Sequence, residues 1–246
     1  MKSGMALSWL RLFAVQSSWN YERMAAIGTA RAMEPMLRDL PGGTSGDRYR
    51  EAMGRSVGFF NSHPYLIGVA VGAIAKAEHE GVPGEQIQRL KAALTSSLGS
   101  MGDRLIWAGA LPVASGIGLA LAVVAPWYMG PAGFLLLYNA VHLTVRTWGL
   151  HAGWRDGPRV ARSLGAPVLR MALRVAGPLA ALSVGFALPL VAVRLASEVS
   201  PLLHTAVFGV TALGVTLSLW LAPALGGLRY GLLLAALALG AGALWQ

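Results

Sequence analysis

The chain has 246 residues, of which 55% are hydrophobic and only 13% are charged, whereas soluble domains carry about 25% charged residues. Twenty lysines and arginines against 11 acidic residues give a net charge of +9, and cysteine is absent. This composition predicts an integral membrane protein and excludes disulfides, thiolate metal sites and cysteine nucleophiles.

The N-terminal part is predicted to be helical and amphipathic. Apolar residues recur at helical spacing from Trp9 to Leu40. Seven charged side chains in this stretch oppose a membrane crossing, so we expect it to lie at the bilayer interface or against a partner subunit. PGGTSG, residues 41–46, predicts a break, and a second polar helix is predicted over 47–60.

A short apolar run at residues 65–75 follows the sequence FFNSHP. Pro64 disfavours helical backbone at His63, so the new helix should begin after it. A helix needs about 20 residues to cross a bilayer. The run is shorter than that, so it predicts a re-entrant segment or half-helix. A charged connector, 76–91, should contain a turn at 81–84.

The sequence becomes much more apolar after residue 104. Five runs of near-spanning length follow, at 105–125, 128–145, 175–193, 201–224 and 228–245. We therefore predict an all-α, polytopic membrane protein with an interfacial helical region over 1–104 and a transmembrane region over 105–246.

The connector at 146–174 lies between two apolar runs and contains five arginines beyond Arg146: Arg155, Arg159, Arg162, Arg170 and Arg174. By the positive-inside rule it and the N-terminus should lie in the cytoplasm, and five spans would leave the C-terminus outside. A basic loop in this position is expected to face the membrane rather than nucleic acid.

A polar stripe interrupts the apolar helix GFLLLYNAVHLTVRTWG. Asn139, His142 and Arg146 lie three and four residues apart and so share one helix face. Because an unpaired polar group in hydrocarbon costs several kcal/mol, the stripe should face a helix, a cavity or a ligand. The structural alternative is helix packing by Asn139 and His142, with Arg146 reaching the headgroups.

The remaining polar residues give no catalytic pattern. Asp103, in LTSSLGSMGDRLIW, is predicted either to cap the following helix or to line a pocket near the membrane. His63 has no partner at metal-ligand spacing, and no phosphate-binding GxxxxGK[ST] loop occurs. We therefore expect no catalytic residue, metal or cofactor in this chain.

Four segments together resemble one known family. SSWNYERM, FFNSHPYLIGVAVGAIA, LGSMGDRLIWAGALP and GPAGFLLLYNAVHLTVRTWGLHAGW resemble, in order and spacing, the IID component of mannose-family sugar phosphotransferase systems. The resemblance covers about residues 9–154. It implies a helical subunit of the bacterial inner membrane that pairs with a homologous IIC subunit as a hetero-oligomer and moves a hexose.

In that family the soluble IIA and IIB proteins carry the phosphoryl group on their own histidines. The resemblance thus implies a permease subunit that is not phosphorylated and is not an enzyme by itself. The expected partners are IIC, IIA and IIB, the hexose and the lipid bilayer, with no nucleic acid.

Two sets of site residues are predicted from these motifs and from the polar stripe. The candidates for substrate binding or translocation are Asn139, His142, Asp103, Asn61 and His63. The candidates for a subunit interface are Trp19, Asn20, Tyr21 and Arg23.

The chain also departs from the family pattern. It has LTSSLGSMGD where the family usually has LMGPLAGVGD, and Leu111 and His142 replace usual arginines. Similarity is weak beyond Trp154. These departures leave a second interpretation open, a structural or regulatory membrane protein that descends from a IID subunit and no longer transports.

Overall fold

The computed structural model describes residues 2–196 and the isolated positions 206, 209 and 213. Regular structure within 2–196 is helical, as predicted. The helices are α1 (Lys2–Arg11), α2 (Ala26–Leu37), α3 (Asp47–Ser56), α4 (Ile67–His79), α5 (Gly84–Gly102), α6 (Leu111–Val124), α7 (Met129–Asp156), α8 (Ala161–Leu164) and α9 (Pro167–Ala196). A π-helical segment, Asp103–Ala110, joins α5 to α6, and three 3-10 turns lie at Leu12–Ala14, Gly43–Ser45 and Gly157–Arg159.

Proline and glycine end several helices where the sequence predicts. The PGGTSG stretch follows α2, and Gly42 takes a φ of 85° that favours glycine. His63 and Pro64 lie outside helices, just before α4. Gly81, with a φ of 72°, forms the turn before α5.

Contacts divide the described chain into two compact units. One contains residues up to 111 together with 136–179, and the other contains 112–135 and the described residues from 180 onward. The predicted boundary after residue 104 falls inside a helical stretch that runs from α5 through α6.

The core of the first unit surrounds α4. Almost every residue of this helix is buried, and it packs against α2, α5 and the 3-10 turn after α7. A methyl group at Gly72 would lie 2.5 Å from the backbone nitrogen of Trp154 in α7, and one at Gly68 would lie 3.2 Å from that of Leu150. Glycine is therefore required where α4 crosses α7. The prediction that residues 65–75 are re-entrant concerns the bilayer and stays a prediction.

The second unit also relies on glycine at its helix contacts. A Cβ at Gly116 of α6 would lie 2.6 Å from the backbone of Ser183 in α9, and one at Gly130 of α7 would approach Ala122 to the same distance. Small residues thus let α6 pack closely on α7 and α9, which is typical of membrane helices.

Two helical stretches in the described part of the chain are long and apolar enough to cross a membrane, Gly84–Val124 and Pro167–Val191. They contain the predicted runs 105–125 and 175–193 except for the last one and the last two residues, respectively. The run 128–145 lies in α7, and its spanning stays a prediction. The predicted runs 201–224 and 228–245 lie outside the continuously described residues.

Candidate functional site

The segment SSWNYERM forms a tight loop between α1 and α2, and the prediction of helix through it is wrong. The side-chain oxygen of Asn20 accepts hydrogen bonds from the backbone N–H groups of Glu22 (3.1 Å) and Arg23 (2.8 Å). Met24 adopts a φ of 55°, in the left-handed region, and its N–H donates to the carbonyl of Asn20 at 2.8 Å. Asparagine favours such turns because its side chain replaces helical hydrogen bonds.

This loop is tied to the segment that contains FFNSHP. The N–H of Ala25 donates to the carbonyl of Phe60 at 3.0 Å, and Phe60 is fully buried. Two of the four interface candidates, Trp19 and Tyr21, are exposed and pack edge to face at 4.9 Å. Arg23 is also exposed, whereas Asn20 is used to hold the turn.

A cluster of aromatic and polar side chains forms where the FFNSHP loop meets α7. We call it the Tyr65 cluster, and it consists of His63, Tyr65, Tyr138, His142 and Arg146. The rings of Tyr65 and His142 stack with centroids 4.1 Å apart and planes 12° from parallel. The hydroxyl groups of Tyr65 and Tyr138 are hydrogen-bonded at 3.1 Å. The cluster joins two segments that are about 75 positions apart in the sequence.

Arg146 holds one side of this cluster and is only 4% exposed. Its guanidinium donates to Nε2 of His142 at 2.5 Å and to the carbonyl of Leu12. The same group lies 5.0 Å from the ring centroid of Tyr65 and 5.1 Å from that of Phe13. The prediction that Arg146 reaches the headgroups is therefore wrong, because hydrogen bonds and two aromatic faces hold it inside the protein.

His63 also contacts Tyr65, with ring centroids 5.2 Å apart and edge-to-face packing, and it is 3% exposed. The N–H of Tyr65 donates to its Nδ1 at 3.3 Å, which leaves the proton of a neutral ring on Nε2. Nε2 is buried and has no hydrogen-bond partner among the described residues. The ring packs against Trp107 at 5.5 Å and lies so close to Gly102 that a side chain there would collide with it.

Burial is the main reason that the pKa of His63 falls to about 4. The Asp103 carboxylate opposes the shift by favouring the charged ring, and the Arg146 cation adds to it. The ring is consequently neutral at physiological pH and presents one N–H donor that has no partner among the described residues.

Asp103 has helical backbone angles, φ −59° and ψ −44°, within a continuous helical stretch, so it does not cap a new helix and the capping prediction is wrong. It lies at the start of the π-helical segment, between α5 and α6, and its side chain is exposed. π-Helical turns, in which hydrogen bonds join residues five positions apart, frequently occur at functional sites. This segment also carries Trp107, which reaches His63.

The other substrate candidates are only partly brought together. His142 and His63 both contact Tyr65, whereas Asn61 and Asn139 are exposed. No group of three or more histidine, aspartate or glutamate side chains in the described part of the chain is placed to bind a metal ion.

Sequence reasoning missed Tyr65 and Tyr138, although signals for both were present. Tyr65 directly follows the FFNSHP block, two residues after His63, and Tyr138 precedes His142 by one helical turn. Extending the polar stripe to aromatic residues with a hydroxyl group would have found Tyr138.

Comparisons with known proteins agree with the family resemblance of the four sequence segments. The model of the PTS system mannose/fructose/sorbose family IID component matches residues 2–238. The mannose-specific EIID component of Escherichia coli (strain K12) is 29% identical over 167 residues, which is 66% of this chain and 58% of that protein. The fructose permease IID component of Bacillus subtilis (strain 168) is 32% identical over 152 residues, covering 60% and 54%.

Among solved structures, one chain of the cryo-EM structure of the mannose transporter ManYZ in complex with microcin E492 is similar, with a TM-score of 0.60. It is 27% identical, and the match covers 75% of this chain and 69% of that chain. This chain matches just over half the length of the curated relatives.

Proposed function

Because this chain belongs to the PTS mannose/fructose/sorbose family of IID components, we propose that it is a membrane subunit of a sugar phosphotransferase system that translocates a hexose. In this proposal it acts with a IIC subunit, while IIA and IIB phosphorylate the sugar. The match of the family model to residues 2–238 carries the proposal. The likeness to a chain of the mannose transporter ManYZ supports it.

The Tyr65 cluster supports a role in sugar handling. Sugar sites need a few placed hydrogen-bonding groups beside apolar or aromatic surface. The cluster offers the buried N–H of His63 and the paired hydroxyls of Tyr65 and Tyr138 beside stacked rings. A buried donor without an acceptor costs about 1–3 kcal/mol, so a sugar hydroxyl or a partner residue at Nε2 would recover this energy.

We assign Asp103, Asn61 and Asn139 to the path of the sugar or to contacts with IIC. All three side chains are exposed on this chain. Their carboxylate and amide groups can pair with the hydroxyls of a sugar or with polar groups of a partner helix.

The exposed pair Trp19 and Tyr21 is proposed to contact the IIC subunit. Tyr21 is 86% exposed, and aromatic residues are enriched in the buried centres of protein interfaces. The turn held by Asn20 presents both rings on the same side of the chain, because they pack against each other.

We further propose that the chain crosses the bacterial cytoplasmic membrane several times, with 146–174 in the cytoplasm. The two long apolar helices and the arginines of this connector support that arrangement.

The experiment is co-expression with a IIC subunit encoded beside this chain, followed by affinity purification. We expect a stable complex that a Trp19→Ala, Tyr21→Ala double variant weakens and that Asp47→Asn, on the exposed face of α3, leaves intact. Recovery of this chain without IIC under conditions that preserve other membrane complexes would contradict the proposal.

Sugar uptake in the same cells tests the assigned residues. We expect Asp103→Asn to reduce uptake while the complex with IIC is retained, and Asp47→Asn to have no effect. Normal uptake by the Asp103→Asn variant would show that this residue does not line the path of the sugar.

A second function is favoured by one observation. The stretch LTSSLGSMGD, which departs from the family pattern, continues as unbroken helix from α5 into the π-helical segment. A transport-deficient structural or regulatory protein derived from a IID subunit would form the complex with IIC and support no uptake of any hexose, which distinguishes the two functions.

A further inference from the structure

The stretch from residue 157 to residue 197 contains five arginines and no acidic residue. Arg162, Arg170 and Arg174 are exposed and form no ion pair with any carboxylate in the part of the chain that the structure describes. Several other exposed arginines differ in this respect. Arg50 and Arg89, for example, each lie within 4 Å of a carboxylate on the same helix.

The connector that carries these arginines is held in place. Arg155 donates to the Asp156 carboxylate and to the hydroxyl of Ser163, both at 2.8 Å, and that hydroxyl donates to Asp156. Val160 and Ser163 are buried, so α8 is anchored on the end of α7. The anchoring leaves Arg162 directed away from the core.

The first two turns of α9 separate charge from apolar surface. Val168, Met171 and Val175 lie at i, i+3 and i+7 and so share one face, while Arg170 and Arg174 lie four residues apart on an adjacent face. Val168 is 81% exposed and Met171 is 58% exposed. Exposed apolar side chains beside cations are typical of a helix at the boundary between headgroups and acyl chains.

Position in the fold favours a lipid surface over a soluble partner. α9 contains one of the two helical stretches in the described part of the chain that are long and apolar enough to span a membrane, and Arg170 and Arg174 lie near its beginning. From Pro167 to Arg174 the helix rises only about 10 Å. Over so short a rise, arginine side chains can extend toward the headgroups while their stems remain on apolar surface.

We propose that Arg162, Arg170 and Arg174, with Val168 and Met171 between them, bind the headgroup phosphates of anionic lipids in the adjoining leaflet. Guanidinium groups pair with phosphate through parallel hydrogen bonds, which neutral zwitterionic lipids satisfy less well because their own cation competes. The proposal requires only that the chain is embedded in a membrane and does not depend on sugar transport.

The test compares lipids around the full-length chain in vesicles of phosphatidylcholine with a minor fraction of phosphatidylglycerol. Spin-labelled phosphatidylglycerol and spin-labelled phosphatidylcholine report the relative association of each lipid with the protein. We expect phosphatidylglycerol to be preferred, and we expect the preference to fall as salt is raised because the charges lie near water.

Two triple variants remove the same charge from different surfaces. Arg162→Gln, Arg170→Gln, Arg174→Gln should lower the preference for phosphatidylglycerol at least about fivefold, the factor that corresponds to one basic side chain near an anionic surface. The control, Arg23→Gln, Arg50→Gln, Arg89→Gln, removes arginines that each lie near a carboxylate, and it should change the preference little.

An unchanged preference in the first triple variant, or an equal loss in the control, would overturn the proposal. The unchanged result would assign the surface to a soluble acidic partner instead. The corresponding triple lysine variant should keep most of the preference. If the glutamine variant does not fold, a salt-independent preference in the unmodified protein would overturn the proposal by itself.

Discussion

Gly72 is the residue at which a single methyl group should most clearly damage the fold. Its added Cβ in Gly72→Ala would overlap the carbonyl oxygen of Leu150 and lie 2.5 Å from the backbone nitrogen of Trp154. Both atoms belong to the backbone of α7, so no side-chain rotation can relieve the overlap. Because carbon and its neighbours pack at about 3.5 Å or more, α4 and α7 must move apart by about 1 Å.

The energetic consequence follows from that displacement. A gap of about 0.5–1 Å forfeits a quarter to a half of the attraction between the facing atoms. Overpacking in a core costs about 1–3 kcal/mol, while alanine in place of glycine in a helix contributes about 1 kcal/mol in the opposite direction. Because the clash is with backbone atoms that cannot rotate away, we take the upper overpacking cost of about 3 kcal/mol. After the helix-propensity gain, the free energy of unfolding should fall by about 2 kcal/mol and the melting temperature by about 5 °C.

Gly54 supplies the matched control. It lies in α3, is exposed, and has no atom within 4 Å of an added Cβ. Gly54→Ala should raise the melting temperature slightly, because only the helix propensity changes. Thermal unfolding of the purified protein in detergent measures both variants. A Gly72→Ala protein as stable as Gly54→Ala would refute the close crossing of α4 and α7.

Three further predictions concern polar groups. The pKa of His63 is about 4 in the folded state and about 6.5 in the unfolded state. The unfolded state therefore binds the proton more tightly, and the free energy of unfolding decreases as the pH is lowered. Between about pH 7.5 and about pH 5 the loss should be about 2 kcal/mol, and a denaturation series in which His63→Gln keeps this dependence would contradict the assignment. Arg146→Lys should lower stability by about 2 kcal/mol because lysine lacks the planar fork that reaches His142 and Leu12 together. Equal melting temperatures for this variant and the unmodified protein would disprove it. Asn20→Ala should cost about 1 kcal/mol through the lost turn hydrogen bonds, whereas Asn20→Asp keeps the acceptor and should lose little; similar melting temperatures for the two would count against the turn.

Sequence reasoning was most successful where a structure depends on neighbouring residues. The break after α2, the exclusion of His63 from helix and the turn at Gly81 all follow from the restricted backbone of proline or the freedom of glycine. Composition alone was enough to predict an all-helical membrane protein, since few soluble folds bury so much apolar sequence.

The errors arose where distant segments meet. Helical periodicity continued through Trp19 and Tyr21, but Asn20 bonds to the following N–H groups and its loop pairs with Phe60. Glycine and serine before Asp103 suggested a helix start, yet the helix runs through that point. Tertiary contacts outweighed local preference in the first case. Neither outcome is encoded within a short window of sequence.

The candidate site was predicted in part. The stripe on α7 placed His142 and Arg146 on one face, as the structure has them, because helical spacing is regular. The stacking of Tyr65 on His142 could not be predicted, since it depends on how the FFNSHP loop folds back on α7. His63 was identified by its motif rather than by its environment.

The central claim, that this chain is the IID-type subunit of a working sugar permease, is tested most directly by uptake. A bacterial strain that lacks its own IID subunit but retains IIA, IIB and a cognate IIC would be supplied with this chain. The account predicts that hexose then accumulates as its phosphate in a manner that requires phosphoenolpyruvate. A chain that reaches the membrane and binds IIC but restores no phosphorylated hexose would contradict it.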